Sequence, residues 1–339
     1  MTFCSLGAAS ADSRHIARRM LAPALALCLG LSACSRHEAP PAAAGAASAQ
    51  AAPASAAVAQ ADTLKREALI LLAFPAWRDD DKGRVVRAAL PDPDYKGTGE
   101  PPLVEGTIDV KPIQVIRLDD THAVMLTEGM VVEEGGTRNN SYAAGAWLGA
   151  YFFTREATAS GESPGGWRLS RRVDGYDFSG GRGSLGESSI AQISATDFAL
   201  TLTWGGCWQG YCGSWASFYR LAPGQISTLL AGEAMSAENA GALEPCEQAL
   251  SGKSDVLAQR GADSQDAGEQ VCFAVEGKPA FALGADTPGD LTVTFRGQEV
   301  KVPGGAAKPR RKSLDAVVRY RFQDGKYQVS QGENPVPSF

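Results

Sequence analysis

Leu200-Thr201-Leu202-Thr203-Trp204-Gly205 alternates apolar with polar side chains and stops at a glycine. Alternation at period two places one set of side chains on each face of an extended chain, the mark of a half-buried strand. Two other segments repeat the arrangement, Val124-Met125-Leu126-Thr127-Glu128-Gly129 and Leu291-Thr292-Val293-Thr294-Phe295-Arg296-Gly297. Each leads into an aromatic segment: Ala150 to Arg155, Ala216 to Arg220, and Val317 to Phe322. A glycine turn and a third strand follow, as Gly166-Trp167-Arg168-Leu169, Gly224-Gln225-Ile226 and Gly325-Lys326-Tyr327. β-Branched and aromatic runs separated by glycine turns predict antiparallel meanders. The spacing is uneven, about 76 and then about 92 residues, and the units are few for a closed propeller. The expected fold is mainly β, with meander repeats forming packed sheets or an incomplete propeller-like arrangement.

Working outward, the first two units share a run-in, Ile116 to Ala123 and Gln192 to Ala199. Before them, a connection rich in Pro, Gly and Asp runs past Trp77, Asp79–Asp81 and the Pro91 to Pro102 region and is predicted as loop. Further back, Leu64, Ala68, Leu71 and Leu72 fall on one face of a short helix capped by Asp62 or Thr63 and ended by Pro75. Between the second and third units an insertion over about 234–265 is predicted to be partly helical, chiefly Ser236 to Gln259. Residues 62–339 form the expected globular domain.

Ser35 to Ala61 is mostly Ala, interrupted by Pro40, Pro41 and Pro53. It offers no large apolar groups to bury and reads as a disordered tether. Some 27 flexible residues span on the order of 30 Å. Ahead of it, Arg14, His15, Arg18 and Arg19 form a basic cluster, followed by an uncharged run from Met20 to Leu31. That run is about a dozen residues, short of the ~20 a spanning helix needs. The order of basic, apolar and small-residue regions marks 1–33 as a secretory signal.

The end of that signal, Leu31-Ser32-Ala33-Cys34, resembles the lipobox of bacterial lipoproteins. The resemblance implies cleavage before Cys34 and a triacylated Cys34 as the first mature residue. Stable anchoring takes more than one acyl chain, which triacylation supplies. It further implies sorting to the outer membrane, because Ser35 is not the Asp associated with inner-membrane retention. The expected location is the periplasmic face of the outer membrane. For the folded domain no family resemblance is found.

The whole chain carries 32 basic and 38 acidic residues, net −6. Loss of the leader with Arg14, Arg18, Arg19 and Asp12 brings this to about −8, which argues against nucleic acid as a partner. The local exception, Lys308, Arg310, Arg311 and Lys312, reads as a solvated loop.

Cys4 and Cys28 leave with the leader, so Cys207, Cys212, Cys246 and Cys272 remain in the domain. An even number in an exported chain predicts disulfides. Three pairings are possible. Cys207 and Cys212 flank a four-residue hairpin tip, Trp208-Gln209-Gly210-Tyr211, and are expected to pair; Cys246 would then bond to Cys272. A four-cysteine zinc site is the sharper reading, but the short spacing at 207 and 212 is not repeated at 246 and 272. No metal or cofactor is expected.

Other motifs are weak. Gly181-Arg182-Gly183-Ser184-Leu185-Gly186 matches G-x-G-x-x-G but precedes a strand rather than a helix. Gly252-Lys253-Ser254 lacks the first P-loop glycine, since Glu247 stands there. Asp79, Asp81 and Gly83 resemble a calcium loop whose closing Glu is replaced by Leu90. His122 aligns with Phe198 and is expected to be a packed side chain. His37 falls in the tether, which leaves no histidine pair for a hydrolytic triad or metal site. The favoured function is a non-enzymatic binding module for an envelope protein, glycan or exported toxin, with Trp208 and Tyr211 as contact residues. Trp204 and Trp215 are expected to face inward. An envelope hydrolase using Asp/Glu carboxylates is the alternative.

Overall fold

A computed structural model describes residues 60–92, 95–156, 165–252, 268–303 and 308–338. Cys34, the signal segment and nearly all of the tether lie outside them. Helix α1 (Arg66–Ala73) precedes a five-stranded antiparallel sheet in sequential order: β1 (Val85–Pro91), β2 (Leu103–Arg117), β3 (His122–Val131), β4 (Ala146–Thr154) and β5 (Arg168–Ser179). The second sheet begins with β6 (Glu187–Gln192), β7 (Phe198–Trp208), β8 (Tyr211–Ala222) and β9 (Gln225–Glu238). After helix α2 (Cys246–Leu250) it continues through β10 (Gln270–Phe281) and β11 (Leu291–Val302). Strand β12 (Arg310–Ser313) pairs beside β11, and β13 (Ala316–Gln323) and β14 (Lys326–Gln331) complete the sheet. The fold is mainly β and made of packed antiparallel sheets.

The three repeats are β3–β4–β5, β7–β8–β9 and β11–β13–β14. They are not separate blades. The second and third share one sheet, joined where Ser236, Ala237 and Glu238 of β9 pair with Glu276, Val275 and Ala274 of β10. That sheet curls: after β14 the chain returns to β9, where the Asn334 amide donates to Glu233 and to the Ala234 carbonyl (2.9 Å).

Packing follows the two-residue period. In β4, Trp147, Tyr151 and Phe153 face α1, while Leu148, Ala150 and Phe152 face the second sheet. A strand covered on both sides buries both alternating sets of side chains, as β4 does from Ala146 to Phe153, and each Phe-sized side chain there is worth about 1.5–3 kcal/mol. On the second sheet Leu200, Leu202, Tyr219 and Leu221 meet β4. Ala199, Ala216 and Phe218 on the same strands turn instead into the curled core with Phe295, Val318 and Tyr320.

Several sequence expectations change. β1 lies within the region predicted as loop; it pairs with the start of β2 from Val85↔Asp109 to Pro91↔Leu103. Pro91 takes the last position of β1, where a missing N–H breaks no further pairing. Leu64, Ala68 and Leu72 of the expected helix face pack partly buried against the core, but the fully buried residues of α1 are Leu69, Ile70 and Ala73, Leu71 is exposed, and the N-cap is Lys65 without a side-chain bond. Ala61, assigned to the tether, is buried and exchanges backbone hydrogen bonds with Trp167. Among its described residues the insertion is helical at Cys246–Leu250, and β9 takes its first residues as far as Glu238; residues 253–265 lie outside the described ones. The basic stretch expected as loop includes strand β12.

Candidate functional site

Strands β7 and β8 extend past the core as a hairpin, and their pairing continues through Cys207↔Cys212 to Trp208↔Tyr211. The tip is therefore two residues, not four. Gln209 (φ 49°) and Gly210 (φ 84°) both lie in the left-handed region that two-residue hairpins favour. The bridge Cys207–Cys212 crosses the strands just behind the tip, and Cys246–Cys272 ties α2 to β10.

Besides the Cys207–Cys212 bridge and the β8–β9 pairing that reaches Cys212↔Glu238, the overhang is held by Tyr142 and by the backbone at Gly210. The Tyr142 hydroxyl accepts a hydrogen bond from the Cys207 N–H (2.5 Å) and donates one to the Cys207 carbonyl (2.7 Å). One side chain thus serves both backbone groups at a point where a neighbouring strand would otherwise be needed. Arg182 lies 4.9 Å over the Tyr142 ring and steadies it. Gly210 packs on the 241–242 backbone so closely that a Cβ there would come within 2.2 Å of the Gly241 carbonyl carbon.

Asn239, buried to 1%, organises the wall opposite. Its amide nitrogen donates to the Val271 carbonyl and its amide oxygen accepts from the Phe273 N–H, both at 2.8 Å. Its own N–H donates to the Phe273 carbonyl at 3.1 Å. One asparagine therefore replaces a strand along the β10 edge, where β9 has already turned away. Between tip and wall lies a groove of about 770 Å3, lined by Trp208, Tyr211, Leu243, Val271 and Phe273, with Glu269 and Gln270 at its rim.

The two predicted contact residues sit in this groove but differ. Trp208 is 71% exposed. Tyr211 is half-buried, with its ring 6.4 Å from that of Phe273. Trp204 and Trp215 oppose each other across β7 and β8 and are half-buried rather than core. Trp204 instead lines a smaller cleft beside Gly186 and Ser214. Gly186 belongs to the glycine-rich turn, where Gly180, Gly183 and Gly186 have positive φ and the chain enters β6 rather than a helix.

The acidic residues are engaged elsewhere. Buried Asp109 is held by Arg84 (3.2 Å) and Arg138 (2.5 Å). Arg84 also takes up Asp79 and Asp81, which leaves the calcium-like loop as an ion-pair cluster. Asp174 accepts from Tyr151, Arg172 and the Ala89 N–H, fastening β5 to β1. Asp197 pairs with Arg220. Each buried aspartate among the described residues thus has an arginine partner. Taking charges out of water requires such partners. His122 and Phe198 are both partly buried, but Phe198 packs against the apolar cluster between the sheets whereas the His122 Nδ1 lies 2.8 Å from Asp119. Burial works against the Asp119 charge, but hydrogen bonds from the Thr121 N–H, His122 ring, Thr121 hydroxyl and His122 N–H outweigh it and hold the carboxyl below its ordinary range. This is a turn closing β2 onto β3. Among the described residues no group of three or more His, Cys, Asp or Glu is placed to hold a metal ion. No described helix is long and apolar enough to cross a membrane.

Tyr142 and Asn239 were not singled out from the sequence. Both act on backbone groups tens of residues away, and neither sits in a local pattern that would reveal it. Comparisons with models of known families, with curated proteins and with solved structures find no match to this chain.

Proposed function

We propose that this chain is a non-enzymatic binding module, held at the outer membrane by lipid on Cys34 and facing the periplasm. Its ligand would be an envelope protein, glycan or exported toxin, engaged through the groove at Trp208 and Tyr211. The observation that carries the reading is the exposure of Trp208 on a tip fixed by a disulfide, the Tyr142 hydroxyl and the Gly210 contact. A large ring left in water on a mobile loop costs solvation and gains little. On a rigid mount it can be covered by a partner with little loss of side-chain entropy. A groove of about 770 Å3 also falls in the size range of ligand sites. The hydrolase alternative finds less support, since the buried aspartates of the described residues are matched by arginines.

The test is capture of envelope partners by the native lipoprotein and by Trp208→Ala. The variant should lose capture at an almost unchanged melting temperature. Full capture by the variant would remove Trp208 from the contact surface and with it the basis of the reading. Tyr211→Ala is a poorer probe than its position suggests, because its ring also packs against Phe273.

A further inference from the structure

We propose that the Cys207–Cys212 bridge is a thiol–disulfide exchange site for a dithiol reductant, and that opening it loosens the tip bearing Trp208. The exchange follows from access alone. Its regulatory meaning rests on the binding reading above.

The two bridges of this chain sit in opposite environments. Cys246 and Cys272 are both 0% exposed, enclosed with Ala249 and Val300 in a small apolar cluster. Cys207 is exposed and Cys212 half-buried. Their bridge also forms part of the wall of an open cleft of about 480 Å3 on the sheet face, distinct from the aromatic groove. Gly206, Gly213 and Ala274 line that cleft beside the bridge, and Glu238, Glu276 and Arg296 belong to the same lining. Exchange needs a thiolate to reach a sulfur, so the open bridge reacts directly and the buried one only after local unfolding.

The chemistry balances with a dithiol. One of its thiolates attacks Sγ of Cys207, the S–S bond breaks, and Cys212 leaves as a thiolate. The second thiol of the reductant then attacks the mixed disulfide, and Cys207 leaves in turn. Two electrons pass to the bridge, the reductant closes to its own disulfide, and its two protons end on Cys207 and Cys212.

The bridge lies immediately behind the Trp208↔Tyr211 pair. Tyr142 holds the Cys207 backbone, β9 pairs with β8 as far as Cys212↔Glu238, and the Gly210 contact holds the turn. Tyr211 keeps its ring contact with Phe273, so reduction leaves the stem in place and loosens chiefly Trp208. The aromatic groove becomes less preorganised, and its ligand would bind more weakly.

The experiment uses the full chain, purified oxidised and exposed to limiting dithiothreitol. Samples are trapped with iodoacetamide over time and mapped as peptides. Cys207 and Cys212 should be alkylated on the order of a hundredfold faster than Cys246 and Cys272. Acrylamide quenching of Trp208, assigned by difference from Trp208→Phe, should change in step with that labelling. Equal rates at the two bridges, or earlier labelling of Cys246 and Cys272, would overturn the exchange site. Fast reduction with unaltered Trp208 quenching would overturn the loosening of the tip. Neither readout needs a ligand, so failure here is distinct from failure of the capture experiment.

Discussion

Removing the two bridges separately should damage the fold unequally, and the structure says by how much. Cys246–Cys272 spans 26 residues and Cys207–Cys212 spans 5. In the chain-entropy description these closures are worth about 3.5 and about 2 kcal/mol respectively. The inner pair is also fully buried, so Cys246→Ala with Cys272→Ala leaves a void where two sulfurs packed, at about 1 kcal/mol each by comparison with a buried methylene. The tip pair leaves no such void, since Cys207 is exposed, and Tyr142 still holds the strand. The expected totals are about 5.5 kcal/mol for the inner pair and about 2 kcal/mol for the tip pair. In melting temperature these become roughly 15 °C and roughly 6 °C. Thermal melts and urea midpoints of the two double variants measure the difference directly. Equal losses, or a larger loss at the tip, would refute the reasoning, because neither loop length nor burial could then govern the contribution of either bridge.

Further outcomes follow from the same geometry. Gly210→Ala should cost about 2–3 kcal/mol, combining a side chain at positive φ with a collision against the Gly241 backbone; an unaltered melt and unaltered Trp208 emission would contradict it. Tyr151, Tyr219, Tyr320 and Tyr327 have phenols pushed up first by burial and then by carboxylates: Asp174, Asp177, Glu233 and Asp290 respectively. Their folded pKa values exceed the unfolded one, so their contribution is complete below about pH 10 and is lost as pH rises beyond it. Phenolate absorbance followed together with circular dichroism should show these four of the eight tyrosines ionising only as the fold opens; ionisation in the intact fold would disprove the burial argument. Cys34→Ala should release the protein from the membrane fraction and abolish lipid labelling, and persistent membrane association would refute the anchor.

The strands, the turns and the bridge partners were legible because their signals are local. Leu200 to Gly205 alternates within six residues, a period that no distant contact is needed to read. Cys207 and Cys212 belong to one hairpin, and once they pair, Cys246 and Cys272 remain for each other. β1 was hidden because a short strand among Pro, Gly and Asp has too few alternating positions to outweigh turn residues. What only the tertiary structure decided is how the repeats join and what surrounds the tip. The second and third meanders merge through three residue pairs between β9 and β10, a junction with no pattern of its own. Trp204 follows the alternation of Leu200 and Leu202, yet it sits beyond the facing sheet and stays half-buried, since burial depends on what covers a face and not on its period. Tyr142 reaches Cys207 across 65 residues, and Asn239 reaches Phe273 across 34. A hydrogen bond to a backbone group asks nothing of the partner's side chain, so it leaves no matching letter in the sequence; the fold alone brings donor and acceptor together.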